Sequence, residues 1–216
     1  MEVYTTEEQQ VEAIKSWWKE NGSSIVIGTA IGLAGLFGWR WYNNHQLETQ
    51  QSLSAQYSVV SEALAKDGDK AFGQVESFIK GNEGASYADL ASLELASAAV
   101  NAGKLDVAIA QLSRVADKGD ASVQNIAGVR LARLLAEQGK ADDALARLDK
   151  IKDDGFKAQV AEVRGDILLA QGKREQARDA YQAAADAGGL QSSPVLRMKM
   201  DDMAQGAAAG DVKTDA

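Results

Sequence analysis

The chain has 216 residues, a formal net charge of −8 at pH 7, one proline, one histidine and no cysteine. The part beyond residue 40 is itself acidic and lacks the clustered basic face that neutralises phosphates, so no nucleic-acid partner is expected, and docking of that part on anionic lipid is disfavoured for the same reason. With one His and no Cys, little remains that could titrate, attack or bind a metal near neutral pH, so no enzyme, metal site or cofactor is expected.

Residues 1–20 form an acidic arm carrying Glu2, Glu7, Glu8, Glu12 and Glu20 against Lys15 and Lys19. Thr5-Thr6-Glu7-Glu8 reads as a capping box, and Val11, Ile14 and Trp18 then share one helical face. A short amphipathic helix resting at a membrane surface is the expectation.

The next nineteen residues, 21–39, hold no charge. At about 1.5 Å per residue this approaches the roughly 20 residues that a helix needs to cross a bilayer. Trp17 and Trp18 precede the run, and Trp39, Trp41 and Tyr42 follow it as an aromatic belt. A cleaved signal peptide would show a basic start and a small-x-small cut site; the arm is acidic, and Arg40-Trp41-Tyr42-Asn43-Asn44 offers no such site. Residues 21–42 are therefore read as an uncleaved transmembrane helix. Lys15 and Lys19 before it, against Arg40 at its far edge and no further base until Lys66, place the N-terminus in the cytoplasm and the C-terminal domain outside. The absence of Cys fits an oxidising compartment. Gly28, Gly32 and Gly35 fall on one face, with Ala30, Ala34 and Gly38 as a second small-residue stripe, a pattern that permits close helix packing in lipid. Residues 43–57 read as a helical continuation or stalk, and His45 as a solvated interfacial residue.

Beyond the anchor, abundant Ala, Leu, Gln, Asp and Lys and no period-2 alternation make the fold class all-α. Gly68, Gly103, Gly139 and Gly172 recur at intervals of 35, 36 and 33 residues. Each stands where one helical pattern ends and another opens, a place that favours the left-handed backbone glycine adopts freely. Three residues after the last three come Asp106, Asp142 and Glu175, suited to a helix start. Ala108, Ala144 and Ala177 then allow close helix approach, with Gly73 in that place in the first unit, and the bulky Leu112, Leu148 and Tyr181 plug the space four residues further on.

This pattern resembles the tetratricopeptide repeat, a helix–turn–helix unit of about 34 residues. Preceding helices would contribute Leu95, Ala96 and Ala99, then Leu131, Ala132 and Leu135, then Arg164, Gly165 and Leu168. The family's usual aromatic near the start of the first helix is replaced by Ser92, Gly128 and Ala161, and the unit at 54–80 is degenerate. The expected architecture is a single N-terminal transmembrane helix followed by a TPR-like solenoid over 43–205, the alternative being a non-repetitive helical bundle. Carrying over the repeat's concave positions gives a groove of Leu90, Leu93, Ser97 and Val100, then Ile126, Val129 and Arg133, then Gln159, Glu162, Asp166 and Leu169. Apolar first and acidic towards its end, it suits an apolar or basic extended segment; the alternative is that several of these side chains belong to the core. Ser192-Ser193-Pro194 opens a capping helix to about Ala204 that carries Leu196, Met198, Met200 and Met203. Residues 206–216 read as a disordered tail. Gly165 to Lys173 has the wrong spacing for a P-loop.

The order of parts resembles one bacterial family. The Glu12-Ala13-Ile14-Lys15 arm, the Glu20-Asn21-Gly22 entry, the Gly38-Trp39-Arg40-Trp41-Tyr42-Asn43-Asn44-His45-Gln46 exit and Ala91-Ser92-Leu93-Glu94-Leu95-Ala96 are similar to the YfgM-type ancillary subunits of the SecYEG translocon. That resemblance implies an inner-membrane protein with a periplasmic domain. It also implies association with the SecYEG channel and with a membrane-anchored periplasmic prolyl isomerase, and a role in receiving or passing on exported unfolded polypeptides. It supplies no catalytic residues. Two other readings are a membrane-held regulator that sequesters a stress-response component and an assembly factor for another envelope complex.

Overall fold

The computed structural model describes residues 7–211, with side-chain surroundings for 9–204. The chain divides into two units, residues 1–54 and 55–216.

The first unit is the greater part of helix α1, Glu7–Asp67. No proline interrupts this stretch, so arm, anchor and stalk form one helix; the separate short amphipathic helix expected in the arm is not seen, and Thr5 and Thr6 of the expected capping box fall outside the described residues. Asn21 donates to the Trp17 carbonyl at 3.0 Å, and the Trp18 indole covers Gly22. Ile25, Val26, Ile27, Ile31, Leu33, Leu36, Phe37 and Trp39 are all exposed. Apolar surface costs about 25 cal/mol per Å2 in water, so a helix this apolar on every side is a candidate to cross a membrane. Among the described residues, α1 is the helix long and apolar enough to cross a membrane. His45 is exposed and stacks on Trp41, ring centroids 5.9 Å apart.

The second unit holds the end of α1, where Val60 and Leu64 are buried, and a 3-10 turn at Gly68–Ala71. Helices α2 (Phe72–Gly81), α3 (Ser86–Asn101), α4 (Leu105–Lys118), α5 (Ala121–Glu137) and α6 (Ala141–Leu148) follow. A second 3-10 turn at Asp154–Phe156 leads into α7 (Lys157–Ala170), α8 (Arg174–Asp186), α9 (Gly189–Ser192) and α10 (Pro194–Asp211). Among the described residues there is no strand. Each helix from α2 to α8 packs on its neighbour in sequence, α5 also touches α7, and α8 carries α10. Contacts confined to one repeat and the next are the mark of a repeat array.

The glycine ruler holds. Gly68, Gly103, Gly139 and Gly172 have φ of 59°, 71°, 76° and 76°. At the last three the same two bonds close the preceding helix: Gly103 and Lys104 donate to Val100 and Ala99, Gly139 and Lys140 to Ala136 and Leu135, and Gly172 and Lys173 to Leu169 and Leu168. This is the paired-bond ending in which a left-handed residue satisfies the final carbonyls. Ala108, Ala144 and Ala177 are fully buried, as are Leu112, Leu148 and Tyr181. Gly165 makes room for the last of these, since a Cβ there would lie 2.4 Å from the Tyr181 ring. Gly73 departs from the pattern: it is exposed, and Ala71, Phe72 and Val75 fill the core in the degenerate first unit.

A buried polar cluster joins α3, α4 and the start of α5. Arg114 donates to the Ala88 carbonyl, Ser92 and Asp89, and the second Asp89 oxygen accepts from the backbone N–H of Asp120 at 2.7 Å. Ser92 thus has a partner that a ring at this place would displace. At the far end Ser193 caps α10, its Oγ 3.3 Å from the Leu196 N–H. Leu196 and Met203 are buried, while Met198 is exposed. The helix continues past Ala204 to Asp211, so helical backbone covers the first part of the stretch expected as a disordered tail, and residues 212–216 lie outside the described residues.

Candidate functional site

Helices α3 and α5 are the first helices of successive repeats, and the second helix α4 lies between them in sequence and packs on both. This leaves a groove of about 320 Å3 whose walls are the i, i+3, i+4, i+7 rows of α3 and α5. From α3 come Leu93, Ala96, Ser97, Val100 and Asn101; Leu112 of α4 forms part of the floor; Arg130, Arg133, Leu134 and Glu137 come from α5. Ala96, Leu112 and Leu134 are buried, Leu93 is half-buried, and Val100 is 38% exposed, so the apolar lining continues from the core to the surface.

Of the expected groove residues, Leu93, Ser97, Val100 and Arg133 come together here. Leu90 is exposed but does not line this groove, and Ile126 is half-buried outside it. Val129 is a correction. It is 1% exposed and packs with Ala132, Ala144, Leu148 and Val163, inside the core rather than on the groove wall. Helix α5 is turned so that the row through Arg130, Arg133, Leu134 and Glu137 faces the groove. That row was legible as one helical face through Arg133, yet only the packing of α5 on α4 and α6 decides which row is covered.

A second depression lies further along, lined by Arg133 again and by Gln159, Glu162 and Asp166 of α7 together with Ser193, Val195 and Lys199. Its acidic character does not survive folding. Lys199 of α10 places Nζ 2.7 Å from Glu162 and 2.8 Å from the Asp166 carboxylate. Tyr181 donates to Asp166 at 2.9 Å. Burial works against the ammonium charge, but the Asp166 and Glu162 hydrogen bonds hold Lys199 above its ordinary value. Burial first, then Asp166, pushes the Tyr181 phenol up as well. By contrast, among the described residues Arg130 and Arg133 have no acidic partner within 4.0 Å.

In the anchor, a Cβ on Gly28, Gly32 or Gly35 would meet nothing within 4 Å, so these three present open backbone. Among the described residues no cluster of three His, Cys, Asp or Glu side chains is placed to hold a metal.

A family model described as a tetratricopeptide repeat-like domain matches residues 15–205. The chain is 35% identical over 205 residues to an "Ancillary SecYEG translocon subunit" of Escherichia coli (strain K12), covering 94% of this chain and 99% of that protein. Relatives with the same name in Haemophilus influenzae and Aggregatibacter actinomycetemcomitans are 30% and 32% identical, each over 91% of this chain and 97% of the relative. Among solved structures, apo PlcR of Bacillus thuringiensis is similar with a TM-score of 0.51 at 14% identity, covering 79% of this chain and 71% of that one. At that identity the likeness speaks to the fold alone.

Proposed function

The chain belongs to the family of tetratricopeptide repeat-like ancillary SecYEG translocon subunits, and from that premise we propose that it is a non-enzymatic accessory of the SecYEG channel. The anchor holds the helical repeats at the periplasmic exit of the channel in the bacterial inner membrane. There the groove between α3 and α5 receives exported unfolded polypeptides and links the channel to a membrane-anchored periplasmic prolyl isomerase. The observation that carries this reading is likeness across nearly the whole length, anchor and repeats together, to proteins named for that association. Tethering explains why weak binding suffices, because a site held beside the emerging chain works at high effective concentration. Leu93 and Val100 supply the apolar contact, while Gly28, Gly32 and Gly35 supply the packing face in lipid.

The test is purification of the full-length protein from its native membrane in mild detergent, with co-purifying proteins identified by mass spectrometry. Translocon subunits and a periplasmic prolyl isomerase are expected, and replacement of the anchor by an unrelated helix should remove the translocon subunits. Leu93→Glu with Val100→Glu should reduce capture of unfolded chains without loss of the fold, since neither side chain is fully buried. Recovery of a cytoplasmic regulator or a different envelope complex in place of the channel would overturn the reading.

A further inference from the structure

We propose that the groove between α3 and α5 takes an internal segment of a partner polypeptide in which an apolar side chain is flanked by an Asp or Glu. This inference rests on the groove reading above and adds the charge of its occupant.

The charge follows from which ionic groups the fold has already satisfied. The acidic pair Glu162 and Asp166, which in sequence suggested a basic occupant, is neutralised within the chain by Lys199. A basic ligand would have to compete with a tethered ammonium on a helix whose Leu196 is fully buried. The guanidinium groups of Arg130 and Arg133 are exposed on the same groove wall and, among the described residues, have no acid within 4.0 Å. Glu137 is the one acid in that lining, so the groove carries more positive than negative charge within a chain of net −8. Guanidinium groups are weakly hydrated and present several donors in a fixed fork, which suits them to a carboxylate beside an apolar surface.

The occupant is an internal segment rather than a chain end because Arg133 lines both depressions. A bound chain can therefore run on from the apolar part past Arg133 into the second depression.

The test uses the full-length protein in lipid nanodiscs, with empty nanodiscs as the reference, and fluorescein-labelled peptides read by anisotropy. The peptides carry a central Leu-Asp-Leu, Leu-Asn-Leu or Leu-Lys-Leu between Gly-Ser flanks, plus a version ending in a free carboxylate after Leu-Asn-Leu. The Asp peptide should bind at least about tenfold more tightly than the Asn peptide, a step of the size that charge-assisted hydrogen bonds give. Arg130→Gln with Arg133→Gln should abolish that preference, so that the Asp and Asn peptides bind equally. Both side chains are exposed, so the fold is retained. Equal binding of the Asp and Asn peptides, tighter binding of the Lys peptide, or a preference for the terminal carboxylate would each overturn this inference and leave the groove reading intact. Failure of every peptide to bind would overturn both.

Discussion

Gly165 and Tyr181 are the one place in the array where the usual pairing of small and bulky residues is exchanged for a smaller and a larger one. Ala96 and Leu112, Ala132 and Leu148, and Gly165 and Tyr181 are each sixteen positions apart, and all six lie in the core. A Cβ at 165 would lie 2.4 Å from the ring, so Gly165→Ala should cost about 2 kcal/mol in urea unfolding, as overpacking does. Adding Tyr181→Leu restores the pairing of the other two units and should recover most of that loss; no recovery would mean that the Tyr181 hydroxyl bond to Asp166 matters more than the packing. Tyr57 gives a separate prediction. It donates to Glu94 of α3, and burial, followed by Glu94, pushes its phenol from 10.0 up to about 12. The folded state therefore holds the proton more tightly than the unfolded one. This stabilisation is complete below about pH 10 and disappears as pH rises towards 12. Urea midpoints measured across that range should fall for the natural chain and fall less steeply for Tyr57→Phe.

Helices in this array are closed by local chemistry and oriented by distant chemistry. Each paired-bond ending, at Gly103, Gly139 and Gly172, falls within a stretch of six residues, so the turns were legible before any packing was known. The face of each helix is another matter. Val129 and Arg133 are one turn apart on α5, yet Val129 is buried and Arg133 exposed. Periodicity identifies rows on a helix but not which row a neighbour covers, because in a helical array both the core side and the groove side carry apolar residues. Helix α10 shows the same division. Its Ser-Pro start was readable, whereas the Lys199 bridge to Glu162 and Asp166 spans more than thirty residues. Lys199→Met strands Glu162, which is 8% exposed, and should cost about 2 kcal/mol and speed amide exchange in α10. Adding Glu162→Gln removes the stranded charge and should return most of the stability. If exchange in α10 stays unchanged in Lys199→Met, the helix is held by Leu196 and Met203 alone.

At the scale of the molecule, a helical-repeat unit follows a single apolar helix, and the family relation assigns that pair to the ancillary translocon subunits. The bilayer orientation rests on Lys15 and Lys19 against Arg40, a small difference that a direct measurement can check. The absence of native Cys makes single-cysteine labelling unambiguous. Lys19→Cys and Lys118→Cys sit at exposed positions on the two sides of the anchor in sequence. In intact spheroplasts a membrane-impermeant maleimide should modify Lys118→Cys at once and Lys19→Cys only after lysis. The reverse order would place the repeats in the cytoplasm and remove the basis for a role at the channel exit.

Sequence alone determined the all-α class, the long apolar helix and the glycine turns, because each depends on residues within a few positions of one another or on an unbroken run of one character. Only the tertiary structure decided that Val129 belongs to the core, that Arg130 joins Arg133 on the groove wall, and that Lys199 pairs with Glu162 and Asp166. Burial and ion pairing are settled by side chains brought together from distant repeats, and no local pattern carries that information.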